Sequence, residues 1–224
     1  MNTSNNKQAF KLQPSETLSR EMLDKLKNVN TKYNNSRNFS NYMSDLGNLF
    51  GVNAVQVTED HKKFLAGFME GEASINVSAK KHNNARFGLL LDPEFSITQH
   101  VNGFSNLYLA LTVFKTGRIR HKQGSKATLV FVIDNRQSLE EKVVKFYQQY
   151  VEPFGSSAKA ERLANFTKIL DYFNQNGHQD LETFRDKMLP IWDLMRVQKG
   201  QSNETFANLE EAQQYVNNFA RNQE

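Results

Sequence analysis

Apolar residues in the first part of the chain recur at the three- and four-residue spacing of amphipathic helices. A first helix is predicted over residues 18–26, with Ser15 or Thr17 as its N-cap. A second helix is predicted over residues 39–50, and the short apolar run at 54–57 favours a strand. This part of the chain therefore predicts two packed helices followed by a short extended segment.

From residue 60 the pattern changes, and strictly alternating segments separate the helical ones. These segments predict the order α-β-β-α-β-β-α, which is an α/β (α+β) fold with an antiparallel sheet. The predicted elements are a helix at 60–71, a hairpin with strands at 74–80 and 86–99 around a turn at 82–85, a helix at 104–114, a second hairpin with strands at 118–122 and 127–133, and a helix capped by Ser138 and Glu141.

Further amphipathic helices are predicted over residues 163–173 and 181–192, with a kink at Pro190 in the second, and a last helix begins near Leu209. We interpret the chain as three regions: an N-terminal accessory extension at 1–58, a core domain at 59–199, and a C-terminal helical tail at 200–224.

The composition excludes several classes of protein. The chain has 224 residues and no cysteine, which excludes disulfide frameworks, thiolate zinc sites and cysteine nucleophiles. No apolar run approaches the roughly 20 residues that span a bilayer, and the start resembles neither a signal peptide nor a transit peptide. We therefore expect a soluble protein with no membrane partner that acts where it is made.

Positive charge is concentrated in the middle of the chain. Residues 75–137 contain nine basic and three acidic residues, a net charge of +6, whereas the whole chain carries +4. The residues outside this segment therefore carry a net charge of −2. Such a focused positive field predicts a polyanionic partner, and nucleic acid is the first candidate.

One nine-residue stretch at the end of the first core helix combines small and acidic residues: Leu65-Ala66-Gly67-Phe68-Met69-Glu70-Gly71-Glu72-Ala73. Ala66, Gly67 and Gly71 would allow a second helix to approach to backbone contact. If the partner is a second copy of the chain, Glu70 and Glu72 of both copies converge at the negative helix ends, where a cation would relieve their repulsion. Carboxylate oxygens favour Mg²⁺ or a similar ion. The alternative is an ordinary core helix with solvated carboxylates.

This stretch resembles the LAGLIDADG signature of homing endonucleases, and the order of elements over residues 60–192 is similar to that family's core. The runs 61–99 and 115–136 look like the homodimeric, single-motif members that introns of chloroplast large-subunit ribosomal RNA genes encode. The resemblance implies a homodimer and a long, nearly palindromic target in double-stranded DNA. It also implies a double-strand break with short 3′ overhangs, made by metal-dependent hydrolysis. The residues implied at the dimer interface are Leu65, Ala66, Gly67 and Phe68.

The resemblance also implies roles for individual residues. The last acidic residue of the motif, with a neighbouring backbone carbonyl, holds the metal in this family, which places Glu72 and Gly71 as ligands of Mg²⁺. Gln99 matches the polar residue that orders water around the scissile phosphate, so Glu72 and Gln99 are the catalytic candidates. Glu72 replaces the commoner Asp and Ala73 the usual Gly. We therefore expect the metal geometry to differ in detail.

Three further residues near these positions have no assigned role. The family often places a basic residue near the attacking water, and Lys159 and Arg162 are candidates whose spacing departs from the better-known pattern. His100 follows Gln99, and the resemblance gives it no catalytic role. An ordinary hydrogen-bonding histidine is the favoured interpretation.

The two predicted hairpins carry the candidate DNA contacts. Arg118, Arg120 and Lys122 share one strand face while Ile119 points to the other. A two-stranded ribbon fits the major groove, where Arg and Lys reach guanine and Asn reaches adenine. A solvated sheet face is the alternative. The candidate DNA-binding residues are Asn76, Ser78, Lys80, Lys81, Arg86, Arg118, Arg120, His121 and Lys122.

Two other functions use the same scaffold. An RNA maturase-like splicing factor would bind intron RNA without cutting DNA, and a non-catalytic DNA-binding regulator would lack metal chemistry. The acidic residues at both motif positions argue against the regulator. Asparagine and phenylalanine richness is compatible with an AT-rich organellar gene, so the expected location is an organelle, with the chloroplast favoured.

Overall fold

The computed structural model describes residues 10–13, 16–34, 38–196 and 205–223. The α/β fold class is confirmed, and the predicted core order runs from α3 to α5. The helices are α1 (Arg20–Tyr33), α2 (Phe39–Phe50), α3 (Glu59–Glu72), α4 (Phe104–Phe114), α5 (Arg136–Ser138), α6 (Ser157–Asn174), α7 (Leu181–Thr183), α8 (Leu189–Arg196) and α9 (Leu209–Arg221); the strands are β1 (Ala73–Lys81), β2 (Leu89–His100), β3 (Arg118–His121) and β4 (Thr128–Ile133).

The helices of the N-terminal extension begin at local capping residues. Ser19 accepts a hydrogen bond from the Met22 N–H and caps α1, so Thr17 is not the cap, while Ser15 lies outside the described residues. The predicted strand at 54–57 is wrong, because these residues have no regular structure and Val55 is 43% exposed. A strand needs a neighbouring strand for its backbone hydrogen bonds, and the described sheet does not extend to this segment.

The four strands form one sheet in the order β1-β2-β4-β3. Side chains alternate as predicted, since Ile75, Val77 and Ala79 on β1 are buried while the residues between them are accessible. The second hairpin is antiparallel, with Arg118 opposite Val132 and the next three residues in register with it. The strand β2 runs without interruption through Pro93.

The first hairpin differs from the prediction at its turn. The loop spans residues 82–88, so Arg86 lies in the loop and not on the returning strand. The His82 N–H donates to the Gly88 carbonyl at 2.9 Å, and the Gly88 N–H donates to the Ala85 carbonyl at 2.9 Å. Gly88 has a φ of +70°, which favours glycine, and this residue closes the loop before β2 begins at Leu89.

Two helical regions after the sheet differ from prediction in detail. The Asn135 side chain accepts from the Ser138 N–H and caps α5, so Ser138 is not the cap and the helix begins earlier than predicted. Wide π-type turns at Leu139–Val144 and Tyr147–Val151 continue it. A similar stretch, Phe184–Met188, precedes α8, which begins one residue before Pro190. Proline has no N–H for the helical ladder, which fits the change of helix type there.

The described chain packs as two compact units. One unit contains Met1–Ser74 and Ser96–Ile133, and the rings of Phe50 and Phe104 stack in its core at 4.0 Å between centroids. The other contains Ile75–Phe95 and Asp134–Glu224, with Phe95 against Tyr147 in its core. The predicted regions 1–58, 59–199 and 200–224 stay a prediction. Among the described helices, none is long and apolar enough to cross a membrane.

Candidate active site and nucleic-acid interface

The motif helix α3 ends at the candidate catalytic carboxylate. Thr58 caps its beginning, where the Thr58 hydroxyl accepts from the His61 N–H and the His61 ring accepts from the Thr58 N–H. Its last two residues, Gly71 and Glu72, are exposed, and β1 starts at Ala73. The sequence therefore folds so that the carboxylate of Glu72 stands at the junction between a helix end and the first strand of the sheet.

The oxygen donors at this junction match the ligands that a hard divalent cation prefers. Glu72 supplies an exposed carboxylate and Gly71 a backbone carbonyl, which are the hard oxygen donors that Mg²⁺ prefers. A Cβ at Gly71 would have no atom within 4 Å outside its own helix, so the chain leaves open space on that side of the residue. The described part of the chain contains no group of three or more His, Asp or Glu side chains that could hold a metal. Glu72 and the Gly71 carbonyl therefore fit a divalent cation but supply only part of its ligands.

The accessible face of α3 contains two of the four predicted interface residues, Gly67 and Phe68. Leu65 and Ala66 are 0% and 5% exposed within the single chain, so their burial argues against direct contact with a partner. Phe64 is 55% exposed, Phe68 is half-buried, and their rings stack at 6.3 Å between centroids. A Cβ at Gly67 would also have no atom within 4 Å. Phe64 was not among the predicted interface residues, although its spacing of three residues from Gly67 puts both on one helix face.

Gln99 is half-buried at the end of β2, and its carboxamide lies against Gly103. A Cβ at Gly103 would lie 2.6 Å from Gln99 Oε1 and 3.2 Å from Gln99 Cδ. The backbone at Gly103 has φ −93° and ψ 17°, which other residues also adopt. Glycine at position 103 therefore leaves room for the Gln99 carboxamide, and a larger residue would displace that side chain.

His100 and Arg162 both have structural partners. The His100 Nδ1 accepts from the Asn102 N–H at 3.2 Å and caps the following turn, as the favoured interpretation expects. The Arg162 side chain donates to the Ile75 carbonyl at 2.5 Å and to Asn76 Oδ1 at 3.4 Å. Burial lowers the pKa of the Arg162 guanidinium. Arg162 thus anchors α6 to the start of β1, whereas Lys159 is half-buried in the first turn of α6.

On β1, three candidate DNA contacts share the accessible face. Asn76 and Ser78 are half-buried and Lys80 is exposed, each separated by a buried residue. The Lys80 ammonium lies 2.6 Å from Asp92 Oδ2 on β2, and both side chains are exposed by more than a third. Such an exposed ion pair is weak, and a phosphate can compete for the lysine. The predicted candidate on the same hairpin, Arg86, is exposed in the loop.

On β3, the N-terminal extension covers the outer edge of the strand, which sequence reasoning missed. The Ile119 N–H donates to the Tyr42 hydroxyl at 3.0 Å, and the Ile119 carbonyl accepts from Asn30 Nδ2 at 2.9 Å. The Tyr42 hydroxyl in turn donates to Asn30 Oδ1 at 2.9 Å. Burial raises the pKa of Tyr42 to about 12. These contacts satisfy the backbone groups that an edge strand otherwise leaves open.

The basic residues of β3 line a cavity of about 530 Å³ beside α1, with Arg118, Arg120 and His121 on one side and Lys27 and Asn34 among the residues on the other. Alternation places Arg118 and Arg120 on one face of the strand. The His121 Nε2 lies 3.3 Å from the Ser125 hydroxyl in the turn of the hairpin. The structure therefore brings three predicted DNA-binding residues to one surface of this unit. Lys122 follows β3 and is exposed.

Lys81 has surroundings that the sequence did not indicate. Its ammonium nitrogen lies 4.9 Å from the ring centroid of Phe206 and 4.9 Å from that of Tyr215. Both distances are within the range of cation–π interactions. In the sequence, Phe206 and Tyr215 are nine positions apart on either side of the start of α9. This spacing is only a weak indication that the two rings meet around one lysine.

Comparison with known proteins identifies close relatives. The sequence model of the LAGLIDADG endonuclease family matches residues 65–170. The chain is 58% identical over 212 residues to DNA endonuclease I-CeuI of Chlamydomonas moewusii, covering 95% of this chain and 97% of that protein. It is also 33% identical to homing endonuclease I-ApeII of Aeropyrum pernix over 76 residues, which is 34% of this chain and 44% of that protein.

Solved structures show the same fold. The complex of homing endonuclease I-CeuI with DNA matches with a TM-score of 0.89 and 58% identity, over 92% of this chain and 99% of that one. The complex of the archaeal homing endonuclease I-Vdi141I with DNA matches with a TM-score of 0.64 and 25% identity, over 72% of this chain and 98% of that one.

Proposed function

The chain belongs to the LAGLIDADG endonuclease family, and we propose on that premise that it is a site-specific homing endonuclease of the single-motif, homodimeric type. The observation that carries the proposal is the 58% identity to a DNA endonuclease over 95% of the chain. The enzyme is a nuclease that hydrolyses phosphodiester bonds, and its substrate is a long, nearly palindromic target in double-stranded DNA.

Sequence recognition is the function of the two hairpins. The accessible faces of β1 and β3 supply amide and cationic groups that can contact base edges, while exposed lysines neutralise phosphates. Weak pairing leaves Lys80 able to exchange Asp92 for the DNA backbone. The residues that we place against DNA are Asn76, Ser78, Lys80, Arg86, Arg118, Arg120, His121 and Lys122.

Dimerisation is the function of the accessible face of α3. Outside their own helix, no described atom lies within 4 Å of a Cβ at Gly67 or Gly71, so a second α3 helix can pack closely there. Phe64 and Phe68 on the same helix would bury apolar surface against the partner. A two-fold axis at this helix brings one Glu72 from each copy to the same region, and each would serve one DNA strand.

We propose Mg²⁺ as the cofactor, held by Glu72 and the Gly71 carbonyl. When bound, the ion supplies Lewis acidity that activates water and stabilises the leaving 3′ oxygen. Glu72 contributes a fixed negative charge that retains the cation. Gln99 has a carboxamide that both donates and accepts hydrogen bonds, so it can orient the water beside the scissile phosphate. The family resemblance further implies short 3′ overhangs.

The target that we propose is an intronless large-subunit ribosomal RNA gene of an organelle, with the chloroplast favoured. The test is incubation of a plasmid carrying that gene segment with the protein in Mg²⁺, in Ca²⁺ and in chelator. We expect one linear product in Mg²⁺ alone, with ends that map to one site. A band shift without cleavage in Mg²⁺ would contradict the nuclease. Tighter binding of intron RNA than of duplex DNA in a filter assay would favour a maturase.

A further inference from the structure

The strand β1 places its two consecutive lysines on opposite faces of the sheet. Lys80 follows Asn76 and Ser78 along the accessible face, so it points with the proposed DNA contacts. Lys81 is one residue further and therefore shares the face of the buried Val77 and Ala79. A DNA contact by Lys81 would require its side chain to cross from the opposite face of the sheet.

On that opposite face, Lys81 meets the C-terminal segment that begins at residue 205. Phe206 is 2% exposed, and Tyr215 lies on α9 with its ring 5.4 Å from the Phe206 ring. The Lys81 ammonium lies 4.9 Å from each ring centroid. The lysine therefore has two aromatic partners that hold it against the C-terminal segment.

Three other contacts join the same segment to both ends of the first hairpin's loop. The Thr205 hydroxyl donates to the Ala79 carbonyl at 2.7 Å. The Tyr215 hydroxyl donates to the Gly88 carbonyl at 3.2 Å. A Cβ at Gly88 would lie 2.4 Å from Phe219 Cδ2, so the ring of α9 packs directly on the loop backbone. The C-terminal segment thus holds the last residues of β1 and the residue before β2.

We propose that Lys81 is a positioning residue and that the C-terminal segment, residues 205–223, is a brace that holds the loop at 82–88 in its DNA-reading conformation. The inference rests on the proposed function, because the loop carries Arg86 to the DNA. Lys81 acts through the rings of Phe206 and Tyr215 and makes no phosphate contact. The brace fixes where Arg86 is presented, so it determines specificity at the base pairs beneath this loop.

Salt dependence of DNA binding separates a positioning role from a phosphate contact. We would measure binding of a duplex that carries the mapped cleavage site, from low to moderate salt, for the wild type, Lys81→Met and the matched control Lys80→Met. Each lost phosphate contact lowers the slope of log affinity against log salt by about 0.9, so loss of one per chain changes a homodimer's slope by about 1.8. We expect that change for Lys80→Met and none for Lys81→Met.

The affinity of Lys81→Met should still fall by about three- to tenfold, as expected for the loss of exposed cation–π contacts that order the loop. Tyr215→Leu should produce a similar loss, and the double variant Lys81→Met/Tyr215→Leu should lose little more than either single variant. Lys81→Met and Tyr215→Leu should each accept more substitutions at the base pairs beneath the loop at 82–88. A slope change of about 1.8 for Lys81→Met would overturn the inference.

A second measurement uses the protein without DNA. Hydrogen exchange of the His82 and Gly88 amides, which bond across the loop, should be faster in Lys81→Met and Tyr215→Leu and unchanged in Lys80→Met. Unchanged hydrogen exchange in both Lys81→Met and Tyr215→Leu would overturn the inference but would not contradict the proposed nuclease function. Absence of DNA binding by the wild type would instead contradict the proposed function.

Discussion

Replacing Tyr42 by phenylalanine removes one hydroxyl from the contact between the N-terminal extension and the edge strand β3. That hydroxyl accepts from the Ile119 N–H at 3.0 Å and donates to Asn30 Oδ1 at 2.9 Å. Tyr42 is 5% exposed and Ile119 is 0% exposed, so water cannot easily replace the lost oxygen. The variant therefore leaves a buried backbone donor without its acceptor.

The expected cost follows from that donor. A buried polar group that loses its partner costs about 1–3 kcal/mol, and the asparagine loses a second hydrogen bond, so we expect a free energy of unfolding lower by about 2–3 kcal/mol. In a chain of this size, that difference lowers the melting temperature by roughly 4–12 °C. The Asn30 amide still donates to the Ile119 carbonyl at 2.9 Å, so the strand should stay in place.

The assay is urea denaturation of wild type and variant at one protein concentration, since a dimer's stability depends on concentration. Tyr33→Phe is the matched control, because the Tyr33 hydroxyl donates to Asp45. In that variant Asp45 would still have its ion pair with Lys32, at 2.9 Å. We expect the control to lose less than about 1 kcal/mol. Equal losses of unfolding free energy in the two variants, or no loss for Tyr42→Phe, would refute the proposed role of the Tyr42 hydroxyl as the acceptor for the edge of β3.

Three further predictions follow from single contacts. Gly103→Ala forces the Gln99 carboxamide to move from a Cβ that would lie 2.6 Å away, so the cleavage rate at saturating enzyme should fall at least about tenfold with little change in DNA affinity; an unchanged rate would exclude Gln99 from catalysis. Gly67→Leu should convert the dimer to a monomer in sedimentation without unfolding it, because no described atom outside its own helix lies within 4 Å of that Cβ; a persistent dimer would contradict α3 as the interface. Above pH 10 the unfolded chain ionises at Tyr42 while the folded chain, with a pKa of about 12, does not, so stability should be lost as pH rises, by up to about 2–3 kcal/mol. Tyr42→Phe should show a smaller alkaline loss in the same denaturation assay.

The motif helix and the alternating strands could be predicted because their signals are local. Small residues at Gly67 and Gly71 and the alternation of Asn76 and Ser78 with apolar neighbours follow from one element's own period. The face of α3 that packs against its own chain could not be predicted in the same way. Leu65 is fully buried within its own chain. Helical spacing alone does not say which of two apolar helix faces meets the core, so this burial could not be predicted.

Contacts between distant segments account for what the sequence missed. The Tyr42 hydroxyl meets a backbone amide 77 residues away, and the Tyr215 hydroxyl meets a carbonyl 127 residues away. Neither contact leaves a periodic pattern, since each uses a single polar group. The loop at 82–88 extends to Gly88 because the φ of +70° and a covering aromatic ring fix its end there. The turn residues at 82–85 alone predict a strand that begins at Arg86, because no local pattern indicates the ring that covers Gly88.

In the proposed mechanism Glu72 serves cleavage and not binding, and the Glu72→Gln variant separates these two roles. The substitution removes a charge from an exposed residue at the end of α3 and keeps its size. We would measure the band shift and the cleavage rate on one duplex under the same Mg²⁺ concentration. We expect an affinity within about threefold of wild type and a cleavage rate lower by about a thousandfold or more. Cleavage near the wild-type rate, or a parallel loss of binding and cleavage, would contradict that mechanism.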